Sequence, residues 1–164
     1  MWNNWREPAR SIKPNLVELS EYHTNLAYVN FSECDLSGAA LLETNLHKAN
    51  LSRAKLKDAQ LHEANLNRAH AEGADFRGAD LSRSILTRTN LNRADLRKSG
   101  LWGAFLADAS VRGAKLHGAS VGETVFSACD LSQALGLDSI EFTSASYLDI
   151  PTFFALYGKI WQDP

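Results

Sequence analysis

Large apolar residues recur at every fifth position along most of this chain. From Leu26 to Leu131 the series holds 22 positions without an insertion, and Ala71 is its one small member. The residue two positions before each of them is small or β-branched, and 13 of these residues are alanine. Leucine at a period of five would visit every side of an α-helix, and it does not alternate as a half-buried strand does. The pattern therefore predicts neither of the two standard elements.

A coil with four sides explains the period. If each five-residue repeat forms one side, the large residue and the small one two positions earlier both point inward, and four repeats complete a coil of 20 residues. The inner position must be small because a second large side chain would overpack the narrow axis. The 22 repeats then make about five and a half coils and a rod of about 26 Å, at the usual inter-strand spacing of ~4.8 Å.

The repeat has the form A-[DN]-L-x-x, as in Ala49-Asn50-Leu51-Ser52-Arg53, Ala64-Asn65-Leu66-Asn67-Arg68 and Ala79-Asp80-Leu81-Ser82-Arg83. This motif resembles the signature of the pentapeptide-repeat family over about two thirds of the chain. The resemblance implies an all-β fold, a right-handed quadrilateral parallel β-helix, with short N- and C-terminal caps. It implies little about function, because one fold serves many activities.

The two ends of the chain depart from the repeat, and the open ends of a solenoid need caps. We expect an N-terminal cap over residues 1–22, the repeat coil over 23–134 and a C-terminal cap over 135–164. The C-terminal segment is too apolar for a disordered tail. A short helix is expected there from about Asp149 to Tyr157, and the segment is also a candidate surface for a homodimer.

Both ends also resemble parts of larger bacterial proteins. The opening Trp2-Asn3-Asn4-Trp5-Arg6 is similar to a segment that precedes pentapeptide tracts in multidomain proteins. The stretches 136–142, 148–153 and 158–160 resemble a junction in which a pentapeptide tract precedes a signalling domain of the TIR type. The resemblance implies a signalling or multidomain context and leaves open whether the chain is a stand-alone relative or a fragment.

Residues 20 positions apart should stack on one face, so the surface can be read from the sequence. Ile85, Phe105 and Val125 share the outward position just before the apolar centre, where Asn25, Asn45 and Asn65 stand in earlier coils. Trp102 lies three residues from Phe105. Exposed apolar patches mark interfaces, so these four apolar residues are candidates for one. Two interpretations of this patch stay open: the apolar C-terminal tail folds back over it, or it binds a second copy or another protein.

A second set of residues forms basic columns. Lys57, Arg77 and Arg97 share one face, and Arg68 and Arg88 share the adjoining side. From Leu26 to Leu131 there are 13 Lys and Arg against 12 Asp and Glu. The near balance favours a mixed solvated surface over a shallow site for an acidic partner. We do not expect nucleic acid to bind, since such binding needs a surplus of positive charge.

No arrangement of residues along the sequence points to catalysis. The five histidines stand outside the core positions and show no metal-ligand spacing, and no phosphate loop is visible. Cys34 and Cys129 occupy inward positions almost five coils apart, too far for a disulfide. We therefore expect no enzyme activity, no cofactor and no metal. The absence of a signal-peptide core and of a long apolar run predicts a cytoplasmic protein that does not enter a membrane.

The interpretation favoured by these patterns is a non-enzymatic, rigid protein–protein interaction module whose partner the sequence does not identify. The alternative is a DNA-mimicking modulator of DNA gyrase, because some members of the resembled family act in that way and reduce quinolone sensitivity. Mimicry of DNA needs a markedly acidic surface, whereas the net charge of this chain is −2. The charge balance places this alternative second.

Overall fold

The computed structural model describes residues 20–148 and Thr152. Within them the chain winds into a coil of parallel rungs. Residues just before the apolar centres pair in parallel with residues 20 positions later, as in Asn25↔Asn45, Ile85↔Phe105 and Lys115↔Leu135. Four five-residue segments therefore complete each coil, as the period predicted, and stacked coils take the place of a conventional sheet.

Each five-residue unit combines a buried centre with a tight turn. In the unit around Leu51, the Leu51 amide donates to the His70 carbonyl of the next coil at 2.6 Å, and the Ala54 amide donates back to the Leu51 carbonyl at 2.9 Å. Arg53, the third residue of that turn, has φ +57°. A positive φ at this place is typical of a type II turn. The turn bends the chain at every corner and leaves the outward residues free to differ.

The core is a stack of leucines and small residues along the axis. The apolar centres from Leu26 to Leu131 are all buried, including Ala71 and the neighbouring Phe76. Where a hydroxyl replaces alanine at the inner position, it bonds to a backbone carbonyl: Thr89 Oγ1 donates to Leu66 O at 2.7 Å, and Thr124 Oγ1 donates to Leu101 O at 2.8 Å. These bonds remove the cost of burying a polar group.

The pairing changes register near the C-terminal end. Strands β1 (Ser120–Val121) and β2 (Val125–Phe126) pair in parallel with β3 (Glu141–Phe142) and β4 (Tyr147–Leu148), respectively. A 3-10 helix, Leu137–Ser139, precedes β3. The offset between paired residues grows from 20 at Lys115↔Leu135 to 21 at Ser120↔Glu141 and 22 at Val125↔Tyr147. Residues 135–148 thus add a wider coil to the stack.

The expected caps fall largely outside the described residues. Residues 1–19 of the N-terminal cap lie outside, as does most of the helix predicted from Asp149 to Tyr157. Thr152 is described: it is buried, and its hydroxyl exchanges hydrogen bonds with the backbone of Cys129 at 3.1 and 3.3 Å. The expectation that both cysteines are core residues without a disulfide is confirmed, since Cys34 and Cys129 are buried and are not bonded to each other.

Candidate functional site

The predicted apolar residues form one continuous column on the outside of the coil. Ile85 pairs with Phe105, and Phe105 pairs with Val125. The column then continues to Tyr147, which pairs with Val125. The exposed fractions of Ile85, Phe105 and Tyr147 are 41%, 48% and 66%. We call this column, with Trp102 beside it, the apolar face.

A shallow groove of about 580 Å³ follows the apolar face. Its remaining lining comes from the neighbouring corner column, which contains Glu63, Arg83, Gly103 and Glu123. The Arg83 guanidinium lies 3.3 Å from the Glu63 carboxylate and 5.1 Å from the centre of the Trp102 ring. The carboxylate of Glu123 forms no ion pair within residues 20–148. The groove therefore has an apolar floor, one anchored cation and one anion without a counter-ion in that range.

Trp102 is held in place from beneath by the last coil. A side chain at Gly122 would stand 2.8 Å from the Trp102 ring and 2.5 Å from the hydroxyls of Thr143 and Ser144. The indole thus packs over a glycine that has no room for a methyl group. Sequence reasoning found Trp102 but missed Tyr147, because a strict offset of 20 residues from Val125 points to Ala145 rather than to Tyr147.

The predicted basic residues also come together, but each of the three on the main face has an acidic partner. Lys57, Arg77 and Arg97 line a groove of about 310 Å³. Arg77 forms a bidentate ion pair with Asp75, in which Nε donates to Oδ1 at 2.8 Å and NH2 donates to Oδ2 at 2.6 Å. Arg97 contacts Asp95 in the same way at 2.8 and 2.7 Å. Lys57 lies 3.5 Å from Asp58.

These contacts shift the ionisation of the groups involved. The hydrogen bonds from Arg77 lower the pKa of Asp75, and those from Arg97 lower the pKa of Asp95. In return, the carboxylates raise the pKa of both guanidinium groups. All four groups therefore stay charged at neutral pH, and their fields largely cancel within each pair.

On the adjoining basic side, only one of the two arginines has an acidic partner. Arg88 is paired with Asp108 at 3.3 Å, while Arg68 contacts no carboxylate within the described range. A surface on which cations and anions alternate at contact distance offers no extended positive stripe for a phosphate backbone. It offers no extended acidic surface that would imitate DNA either.

A family comparison identifies the repeat. The model of the family described as pentapeptide repeats (8 copies) matches residues 24–62, 59–97 and 94–133, which is more than half of the chain. This chain belongs to the pentapeptide-repeat family. A comparison with curated protein sequences found no match.

Solved pentapeptide-repeat structures resemble this one. A protein from the thylakoid lumen of Arabidopsis thaliana is 27% identical to this chain and has a TM-score of 0.56. The match covers 62% of this chain and 67% of the Arabidopsis chain. HetL from the cyanobacterium Nostoc, described as involved in heterocyst differentiation regulation, is 27% identical, with 85% and 71% covered and a TM-score of 0.55. Rfr23 from the cyanobacterium Cyanothece is 21% identical, with 90% and 97% covered and a TM-score of 0.62.

The pentapeptide coil brings His62 next to Ser82, which stands 20 residues later in the sequence, and Ser82 in turn contacts the nearby Asp80. His62 Nδ1 lies 2.7 Å from Ser82 Oγ, and the same hydroxyl contacts Asp80 Oδ1. The order is unsuited to nucleophilic catalysis, in which the histidine stands between the serine and the acid. Here Asp80 also accepts from the Ser82 amide at 2.9 Å, which makes this contact a turn motif. Such a meeting is visible in sequence only through the 20-residue offset.

Metal and membrane features are absent from the described part of the pentapeptide coil. No group of three or more histidine, cysteine or acidic residues within residues 20–148 is placed to hold a metal ion. None of the helices in that range is long and apolar enough to cross a membrane. The predicted cytoplasmic location stays a prediction, and one similar protein comes from the thylakoid lumen.

Proposed function

We propose that this pentapeptide-repeat protein is a right-handed four-sided β-helix that acts as a rigid, non-enzymatic protein-interaction module through its apolar face. The observation that supports this most directly is the apolar column, in which Ile85, Phe105 and Tyr147 are exposed and Val125 is half-buried. Soluble proteins seldom leave a contiguous apolar strip in water unless something binds it. Aromatic residues such as Phe105 and Trp102 are favoured at the energetic centre of interfaces.

The apolar residues lack a local hydrogen bond that the asparagines of the same column make. In the first half of the same column, Asn45 Oδ1 accepts the amide of His47 at 3.0 Å, and Asn65 Oδ1 accepts the amide of Asn67 at 3.0 Å. Ile85 and Phe105 have no side-chain acceptor and forgo this bond, which is worth about 0.5–1.5 kcal/mol in a typical case. A gain elsewhere is needed to offset that loss, and contact with another protein supplies one.

The backbone of the coil supports the role of a rigid platform. Each segment hydrogen-bonds to coils on both sides: the Phe105 amide donates to Ser84 O at 3.0 Å, and the Leu86 amide donates to Phe105 O at 2.8 Å. The outward side chains are therefore presented in fixed order. Of the similar structures, HetL is described as involved in heterocyst differentiation regulation. We propose a regulatory role of that general kind, exerted by binding a protein partner.

Affinity capture with matched variants tests the proposal. The full chain, Phe105→Arg and the control Leu135→Arg are used as baits in host lysate, and captured proteins are identified by mass spectrometry. Phe105 and Leu135 are almost equally exposed, at 48% and 46%, but Leu135 belongs to the column of Lys115. A protein held by the wild type and the control, and lost with Phe105→Arg, is expected.

The captured protein is then purified and titrated against the three baits. Because burying an arginine without a partner is costly, Phe105→Arg should weaken binding at least about tenfold, as expected for a central aromatic contact. Equal binding by all three baits would place the contact elsewhere and overturn the proposed role of the apolar face.

A further inference from the structure

We propose that the apolar face binds the apolar face of a second copy of this chain, in an antiparallel arrangement with a two-fold axis through Phe105. This inference rests on the proposed function and specifies its partner. A two-fold interface pairs the same patch with itself, so residues on opposite sides of the axis must complement each other. Both columns of the groove meet this requirement.

The three central members of the apolar column are arranged symmetrically about Phe105. Ile85 lies one coil before it and Val125 lies one coil after it. A two-fold axis through Phe105 reverses this order, so Ile85 of one copy faces the partner's Val125 and the two phenyl rings meet at the centre. Aromatic rings gain from offset or edge-to-face contact beyond the area that they bury.

The neighbouring corner column is complementary about the same axis. It runs Arg83, Gly103, Glu123, with Gly103 beside Phe105 in the groove. The axis that pairs Phe105 with itself therefore places Arg83 opposite the partner's Glu123, and Glu123 opposite the partner's Arg83. Glu123 of each copy, which has no counter-ion within residues 20–148, then meets a cation. Two equivalent ion pairs result, and they fix the register.

Two further features fit this arrangement. Arg83 is already oriented by Glu63 and by the Trp102 ring, so little side-chain freedom is lost when it meets a second carboxylate. Gly103 has no side chain, which leaves room beside Phe105 for the phenyl ring of the other copy. At the ends of the contact, Asn65 lies opposite the partner's Tyr147, a pairing of amide and phenol that can hydrogen-bond.

The size of the apolar face determines how tightly the two copies are expected to bind. From Asn65 to Tyr147 the column spans four steps of about 4.8 Å, or about 19 Å. A contact of this length and one column's width falls short of the roughly 800 Å² per partner of a standard stable interface. The dimer is therefore expected to be reversible, with a dissociation constant in the micromolar range or above.

Sedimentation equilibrium of the full chain tests the arrangement. Over about 1 µM to 1 mM, a range that brackets the expected constant, the wild type and Leu135→Arg should pass from monomer to dimer. Phe105→Arg, which places two arginines at the axis, should remain monomeric throughout. Circular dichroism confirms that each variant retains the wild-type fold before its mass is interpreted.

Exchanging the charges at Arg83 and Glu123 distinguishes the two-fold arrangement from other ways in which two copies could bind. In Arg83→Glu, the introduced carboxylate faces the partner's Glu123, and in Glu123→Arg, the introduced guanidinium faces the partner's Arg83. Each variant alone should therefore dimerise at least about tenfold more weakly. In an equimolar mixture of the two variants, both pairs of one mixed dimer join opposite charges, and dimerisation should return to near the wild-type level.

The outcomes separate the two proposals. A wild type that stays monomeric at every concentration, or a dimer that survives both Phe105→Arg and the charge variants, overturns this inference. The second of these results would move self-association to another surface, such as the C-terminal region. If a different protein is captured by the wild type and lost with Phe105→Arg, the proposed function still holds, even where the dimer proposal has failed. Mixed variants that fail to dimerise overturn the two-fold arrangement.

Discussion

The first and second halves of the coil share one kind of core but differ in one outward column, which turns from polar to apolar. Up to Asn65 the column consists of asparagines, and Asn45 Nδ2 donates to Asn25 Oδ1 of the previous coil at 3.1 Å. From Ile85 onward the same column is apolar, and all of its members except the half-buried Val125 are exposed. Because the inward residues are alike in both halves, the difference is not required by the fold. It separates the part of the sequence that builds the rod from the part that gives it a specific surface.

The largest expected effect tests whether the two halves really share a core. Leu61 and Leu101 are both fully buried, so Leu61→Ala and Leu101→Ala should each lower the free energy of unfolding by about 2–5 kcal/mol. Urea denaturation followed by circular dichroism measures both. A large difference between the two losses would show that one half is packed more loosely than the other.

The next effect concerns the support beneath Trp102. Gly122→Ala places a methyl group against Trp102, Thr143 and Ser144, and overpacking of this kind costs about 1–3 kcal/mol. Gly100→Ala is the matched control, because its methyl group would meet only Asp80 Oδ1 at 3.7 Å. The control should be neutral or slightly stabilising. Equal denaturation midpoints for the two variants would argue against tight packing beneath Trp102.

A smaller loss of stability is expected when acid protonates the carboxylates that pair with Arg77 and Arg97. The pKa values of Asp75 and Asp95 lie below their ordinary value of 3.8 in the folded protein. Their contribution to stability is therefore complete above that value and is lost as the pH falls through the lowered pKa. Both pairs are partly exposed, so Asp75→Asn should cost no more than about 1 kcal/mol near pH 7.

Denaturation from pH 7 down to pH 2 measures this response. The wild type should lose more stability over the acid range than Asp75→Asn does, because the variant has no carboxylate left to protonate at that position. Asp138→Asn, at an exposed position on another part of the surface, serves as the comparison. An identical acid response of wild type and Asp75→Asn would remove the ion pair with Arg77 as a contributor.

The smallest expected change in stability belongs to the apolar face itself. Ile85→Asn restores the residue that stands at Asn25, Asn45 and Asn65, with its side-chain acceptor for the backbone. Stability should stay the same or rise by up to about 1 kcal/mol, while association through the apolar face weakens. Thermal unfolding and sedimentation on one sample measure both. A clear loss of stability would show that Ile85 serves the fold rather than binding.

The coil and its faces could be predicted because its arithmetic is regular. An offset of 20 residues placed Ile85, Phe105 and Val125 in one column and Lys57, Arg77 and Arg97 in another, and the structure has both columns. The same arithmetic failed after Leu135, where the 3-10 helix Leu137–Ser139 widens the coil. Inserted residues shift every later partner, so a fixed period cannot predict the place of Tyr147.

Only the overall charge balance of the surface could be predicted from the sequence, not the individual ion pairs. Counting charges showed near balance, but it did not show that Arg77 turns back to Asp75 two residues earlier instead of facing the next coil. That choice depends on side-chain geometry at the corner, where several acidic groups lie within reach. The contact between His62 and Ser82 was missed for a related reason, since it joins neighbouring coils and depends on which way each side chain points.

The left-handed conformation of the corner residues determines which substitutions the corners tolerate. Arg53, Glu63 and Gly73 all hold a positive φ at equivalent corners, and no corner from Tyr28 to Ala128 is valine, isoleucine or threonine. β-branched residues are strained in this conformation, whereas charged, amide and glycine residues tolerate it better. Substitution at the corners can therefore reverse a charge or remove it without altering the shape of the rod.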